Sequence, residues 1–305
     1  MAGLHKPTIS YIDKTYLTDN NSGQPDYEKI CRTGCLCLQL SDSRIDYCIY
    51  DSQLKRYTVF ESYDLNQNQK MFHPNINVRN LTDEINSFFK SIEWFSYHYQ
   101  AVSCVFDNKK STLVPDTLYD ITKMDMYLRF NHFLDHTEEV AVNELKELEV
   151  MNIYALPQGF PELLLKYFPY ARITHITSIF IKSMFNNLNE HHSKNTVFVN
   201  FRSSCFDMLL FDRKKLKYFN TFLFNTDEDF IFYFHFVLDQ LKVAPIGLEV
   251  IITGEIENES RKIALLNRYS KSVSFTEDAV LYDKEIFSNK PSHFYYTLLN
   301  AIQCV

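Results

Sequence analysis

Two serine-rich turns, each following an apolar strand-like run, hold the residues of this sequence best suited to meet an anion. In Phe201-Arg202-Ser203-Ser204-Cys205 a guanidinium stands beside two hydroxyls. A guanidinium is a planar, permanent cation that donates to phosphate or carboxylate. The other turn, Leu40-Ser41-Asp42-Ser43, brings two hydroxyls and a carboxylate but no cation, and the amides Gln39 and Asn200 stand just before the two turns. Two further groups invite chemistry. Cys31, Cys35 and Cys37 suggest zinc, but structural zinc takes four ligands in paired, short-spaced sets and no second pair follows. Cys35 and Cys37 share one strand face and are expected to pack. His191-His192 falls in a polar loop and reads as a solvated tip. No Gly-x-Ser-x-Gly turn, Walker-type loop or His-Glu-x-x-His helix is present.

The elements that must position the two turns occur twice. Runs 35–40, 45–50 and 57–63 read as a three-strand meander, with turns at Ser41-Asp42-Ser43 and Asp51-Ser52-Gln53. Runs 196–201, 205–211 and 216–224 read as a second one. At one constant spacing Leu36 falls on Val197, Leu38 on Val199, Leu40 on Phe201, Ser43 on Ser204, Asp46 on Asp207 and Asp51 on Asp212. Alternating apolar residues recur by chance more readily than two aspartates and a turn serine do. Each meander is followed by a helix and a strand. The first pair is 81–95, capped by Thr82 with Ile85, Phe88, Phe89 and Ile92 at helical spacing, and then 101–106. The second is 226–241 and then 248–253. Two such units indicate an internal duplication.

Between the units, 117–133 mixes helix and strand signals and 140–148 is expected to be helical. Residues 151–156 and 172–174 read as strands, 161–167 as a helix, and 176–188 as a helix carrying the boundary between the halves. The organisation expected is an irregular segment 1–34, including the loop Asn20-Asn21-Ser22-Gly23, and a first lobe 35–178 with an insertion near 112–148. A second lobe 179–290 and a C-terminal helix 291–305 that can pack back on the first lobe complete it.

Bulk properties narrow the function classes. The 305 residues carry a formal net charge of −7, which argues against a general nucleic-acid binder with a basic face. The local exception, Arg213, Lys214, Lys215 and Lys217, reads as a solvated hairpin tip. Seven cysteines in no regular framework fit free thiols in a reducing compartment. Residues 1–10 lack a signal-peptide pattern, and the most apolar run, 230–238, is too short to span a bilayer. The expectation is a cytoplasmic protein without membrane insertion. The run from Phe230 to Val237 is apolar on every helical face, so it is expected to be covered on most sides; a partner or self-association surface is the alternative.

The duplicated meander, helix and strand resemble the actin-like ATPase superfamily: actin, sugar kinases, heat-shock chaperone ATPases and pilus-assembly relatives. The resemblance implies an α/β fold of the actin-like (ribonuclease H-like) type, two lobes each with a mixed sheet flanked by helices. In that superfamily each meander's first turn grips phosphate. Gln39 stands where the first aspartate is expected and Ser41 where a glycine is; Ser43 completes the turn. In the second turn Phe206-Asp207 fits, but Asn200 replaces the aspartate and Arg202, Ser203 and Ser204 replace the glycines. Asp227-Glu228-Asp229-Phe230 resembles the acidic start of the next helix, and the adenosine turn is reduced to Thr253-Gly254-Glu255. With Leu113-Val114-Pro115 and Phe168-Pro169, the chain is similar to an uncharacterised bacterial family of Bacteroides type, of unknown function and actin-like fold.

The resemblance implies aspartates that hold Mg²⁺, a hard cation needing carboxylate and phosphate oxygens. Neutral Gln39 and Asn200 lack that charge, and losing one oriented electrostatic group costs about 10²–10³ in rate. Side chains in place of glycines crowd the approach of backbone N–H groups to phosphate. Arg202 then fills or caps an empty cleft, or else holds an anion. The reading is a non-catalytic scaffold for an unknown protein partner, with no cofactor and no metal. The alternative is a divergent nucleotide-binding or kinase-like enzyme that takes ATP and Mg²⁺ through Arg202 and the serine turns.

Overall fold

A computed structural model describes residues 6–17, 25–64, 78–188, 195–276, 286–287 and 290–304. The loop at Asn20-Asn21-Ser22-Gly23 and the pair His191-His192 lie outside the described residues. The chain opens with β1 (Ile9–Ile12) and α1 (Tyr27–Thr33), followed by the meander β2 (Gly34–Leu40), β3 (Arg44–Asp51) and β4 (Arg56–Asp64). Then come α2 (Val78–Ser91), β5 (Ala101–Phe106), β6 (Ser111–Pro115), α3 (Met124–Asn131), β7 (Glu138–Leu145) and β8 (Val150–Pro157). Helix α4 (Phe160–Tyr167), β9 (Arg172–His175) and α5 (Ile176–Asn187) lead into the second meander, β10 (Asn195–Arg202), β11 (Cys205–Asp212) and β12 (Lys215–Leu223). The rest is α6 (Asp227–Gln240), β13 (Glu249–Gly254), α7 (Arg261–Tyr269), β14 (Ser272–Phe275) and α8 (Tyr296–Asn300).

These strands form a six-stranded sheet in the order β1-β4-β3-β2-β5-β9 and a five-stranded sheet in the order β12-β11-β10-β13-β14. A three-stranded sheet, β6-β8-β7, stands apart from both. The duplication is visible in register. Gln39 lies opposite Asp46 and Asn200 opposite Asp207. Leu40 pairs in parallel with Phe106, as Phe201 does with Gly254. The antiparallel ladders even slip at matching places, between Ile49 and Tyr50 and between Leu210 and Phe211.

Four local expectations need correction. The stretch read as irregular contains β1, which pairs antiparallel with β4, and α1, whose N-cap Asp26 accepts from Lys29 N. Residues 138–145 form a strand and not a helix, because pairing with β8 along its whole length outweighs the helix-forming tendency of its three glutamates, Ala141 and Leu145. Helix α2 starts at Val78, so Thr82 lies inside it and its hydroxyl donates to Gln158 O at 3.4 Å instead of capping. Helix α6 is covered on one side only: Phe230, Phe234, Val237 and Leu238 are buried, while Phe232 and Phe236 are 62% and 50% exposed. Thr226 caps it with Asp229 in a reciprocal box.

Helix α5 behaves as an all-round apolar helix should. Its N-terminal Ile176 and Ile179 join the first lobe's core with Tyr295 and Leu298, and its Phe180, Ile181 and Met184 join the second lobe's core with Phe198 and Leu209. Helix α8 packs against β2, β3, α5 and β13, so the end of the chain spans both lobes behind the turns. Cys37 lies in the core under α8 while Cys31 lies in the cluster on the sheet's other face, so the two pack apart. Among the described residues no group of three or more His, Cys, Asp or Glu gathers as metal ligands. No helix among them is long and apolar enough to cross a membrane.

Candidate functional site: the cleft between the lobes

The turns after β2 and β10 both line one cavity, and several of their polar groups are already engaged. In the first turn Ser41 N donates to Arg44 O at 3.0 Å and Arg44 N donates to Ser41 Oγ at 2.9 Å. The N–H groups of a phosphate-cradling turn must point outward, and here those of Ser43 and Arg44 donate to Ser41 Oγ. The two amides are similarly occupied. Gln39 Nε2 donates to Asp107 Oδ2 at 3.3 Å, and its Oε1 accepts from Thr297 of α8 at 3.1 Å. Asn200 Nδ2 donates to Asp207 Oδ2 at 2.9 Å. Both amides are buried.

The decisive feature is a pair of reciprocal arginine bridges. Arg202, from the end of β10, donates to Asp207 Oδ1 in its own lobe and to Asp107 Oδ1 and Asn108 O in the other, all at 2.8 Å. Arg44, from the start of β3, donates to Asp46 of its own strand at 2.5 Å and reaches Glu255 of the second lobe at 3.2 Å. The acids correspond under the duplication: Asp46 matches Asp207, and Asp107 and Glu255 each follow the last residue of matching strands. Each lobe's arginine therefore ties its own strand aspartate to the acid at the other lobe's strand end. Within these two bridges, Asp46 Oδ1 and Arg202 Nε are buried without a partner among the described residues.

Burial pushes the Asp107 carboxyl up, and Arg202 beside it pulls it only part of the way back. Glu255 is likewise raised by burial against the pull of Arg44. Burial would weaken the proton affinity of Arg202, but Asp207 and Asp107 overcome it and hold the group well above its ordinary value. His175 caps α5 with its Nδ1 accepting from Thr177 N, and its other ring nitrogen meets Asn108 Oδ1 at 3.1 Å. Complete burial, with Arg202 nearby, keeps this histidine neutral and its pKa well below the ordinary value.

Residues 30–273 match the family described as protein of unknown function (DUF3822). The chain belongs to that family. A Bacteroides thetaiotaomicron protein described as having an actin-like ATPase fold and unknown function matches it at 20% identity, with a TM-score of 0.71, over 83% of this chain and 94% of its own. A structure of the PilM–PilN type IV pilus biogenesis complex matches at 10% identity and a TM-score of 0.54, over 88% of this chain and 98% of that one. No curated protein matches. The fold of this DUF3822 member is the duplicated actin-like ATPase fold, in two lobes.

What remains open between the lobes of this family member is a cavity of about 230 Å³, below the roughly 300–1,000 Å³ of ordinary small-molecule sites. Of the residues singled out in the sequence, Ser41, Ser43, Arg202 and Ser203 line it. Ser204 accepts from Lys109 Nζ at 2.6 Å at its rim. Gln39, Asn200 and Gly254 lie beneath. Gly254 (φ +87°) lets β13 end against β10, because a Cβ there would stand 2.0 Å from Phe201 O. The sequence reading missed Asp107, Lys109 and Arg44 as cleft residues and took Glu255 only as part of the reduced adenosine turn; carrying the repeat past the helices to the residue after each matching strand exposes both acids. Asp42, Asp107, Glu138 and Glu255 line the cavity together with Lys109, Lys110 and Arg202, so a phosphate meets more carboxylates than cations. Lys110 is committed to Glu138 at 2.6 Å.

Proposed function

We propose that this chain is a non-catalytic actin-like protein of the cytoplasm, an interaction scaffold whose nucleotide cleft has degenerated and is held shut by its own side chains. One observation carries the reading: Arg202 is 7% exposed and spends its donors on Asp107, Asn108 O and Asp207. A guanidinium so placed substitutes internally for the bridge that a bound nucleotide and cation would make between lobes. Neutral Gln39 and Asn200 offer nothing to anchor Mg²⁺. The likeness to a chain of a protein–protein complex is in keeping with a role carried by surface.

The test is thermal unfolding with and without millimolar ATP and Mg²⁺. A ligand at about a hundred times its Kd adds about 2.7 kcal/mol, a shift of several degrees. No shift is expected. A shift that requires both ATP and Mg²⁺, together with turnover lost in Arg202→Ala, would replace the scaffold with the divergent nucleotide-binding or kinase-like enzyme.

A further inference from the structure

The duplication shows what one surface lacks. In the first lobe the third meander strand, β4, is covered along its outer edge by β1, with Ile9 opposite Ser62 and Ile12 opposite Val59. Its inner seven residues are all buried. The matching strand of the second lobe, β12, ends its sheet, and among the described residues nothing pairs with its outer edge. No residue of β12 is fully buried. Thr221 N–H turns to the side-chain oxygen of Asn220, 2.9 Å away, as a stand-in for a neighbouring strand.

Two further observations say what would fit there. Arg213, Lys214, Lys215 and Lys217, at the start of this edge, are exposed, and none of them lies within ion-pair distance of a carboxylate among the described residues. Four cations in five residues stand out in a chain of net charge −7. From the other end of β12 an aromatic track leads outward: Phe222 stacks on Tyr233 at 5.1 Å, Tyr233 meets Phe232 at 5.5 Å, and Phe232 stacks on exposed Phe236 at 6.0 Å.

We infer that the outer edge of β12 is a docking site for an extended, acidic segment of a partner protein, added as a sixth strand in the way β1 is added to β4. Backbone pairing supplies the affinity, carboxylates opposite the basic corner fix the register, and alternate apolar side chains lie along the Phe222–Phe236 track. Edge lysines also guard a sheet against unwanted pairing; they reject uncharged and basic strands and admit acidic ones. This inference rests on the scaffold reading and names its partner chemistry.

The experiment is selection of a random twelve-residue peptide library on the full chain, followed by synthesis of the selected peptides. The expected peptides are acidic with alternating apolar residues. They should slow hydrogen exchange of the 215–223 amides tenfold or more, and alternate backbone N-methylation should abolish binding. The exposed pair of changes Lys215→Glu and Lys217→Glu should weaken them about tenfold while leaving near-UV circular dichroism unchanged. A library that yields no such peptide, or peptides indifferent to the charge reversal, overturns the inference. So does slow exchange of these amides in the isolated chain, which would mean that its own residues or a second copy already hold the edge. The ATP and Mg²⁺ melt is independent of this result, so the edge and the scaffold reading fail separately.

Discussion

The first-lobe and second-lobe bridges do the same job with a cation taken from opposite sides of the turn. Arg202 precedes its turn and Arg44 follows its own, yet each links a strand aspartate to the acid ending the other lobe's strand. What the two halves repeat is the frame and the acids; the cations occupy unmatched positions. The bridges also differ in dryness. In the links across the lobes, Arg202 and Asp107 are at 7% and 11% side-chain exposure, whereas Arg44 and Glu255 are at 17% and 25%. A drier pair is harder to break, since the charge left behind has no water to turn to.

That contrast predicts a ranking. Arg202→Ala strands the buried Asp207 carboxylate and the half-buried Asp107 and should cost about 3–5 kcal/mol, read as a lower urea midpoint at unchanged slope. A loss under about 1 kcal/mol would show that water enters this bridge freely and would break the comparison. Next comes Gly254→Ala, where a methyl group meets Phe201 O in a left-handed backbone; the expected cost is about 2–4 kcal/mol. Its first-lobe counterpart, Phe106, needs no such conformation, since it is absent from the positive-φ residues. Arg44→Ala should cost less than Arg202→Ala, about 1.5–3 kcal/mol, and should fall further in high salt. An equal or larger loss at Arg44 would reverse the ranking.

The smallest effect is on pH dependence. His175 has a depressed pKa in the folded chain, so the unfolded chain takes up its proton first as pH falls through about 6.5. Stability present above that pH is then lost on acidification, at up to about 1.4 kcal/mol per pH unit for this group. Between pH 7.5 and 5.5 the melting temperature of His175→Asn, which keeps an N-cap, should fall less steeply than that of the unaltered chain. Equal slopes would remove His175 from the account; partly buried His235 has the same sign and persists in both chains.

Runs such as 196–201 and 205–211 were legible as short apolar, aromatic-rich stretches bounded by turn residues, the pattern of strands buried on both faces, and the constant spacing of Asp46 and Asp207 exposed the duplication. Strand β7 was not legible: its composition suits a helix, and only pairing with β8 makes it a strand. Neither was the exposed side of α6, since an apolar residue reads alike whether or not a neighbour covers it. In the cleft, Gln39, Asn200 and Arg202 stood out by departing from the actin-like pattern, but the partners of Arg202 lie 94 or more positions away in one lobe and 5 in the other.

By itself the amino-acid order determined the repeat, the actin-like frame and the missing glycines and carboxylates, because these are local matters of period, turn chemistry and residue type. Only the tertiary structure decided that Arg202 and Arg44 bind acids of the opposite lobe, that β1 covers one edge strand, and that β12 has no such cover among the described residues. Those outcomes depend on which distant groups meet and on how much water they exclude, and neither is written in the spacing of neighbouring residues.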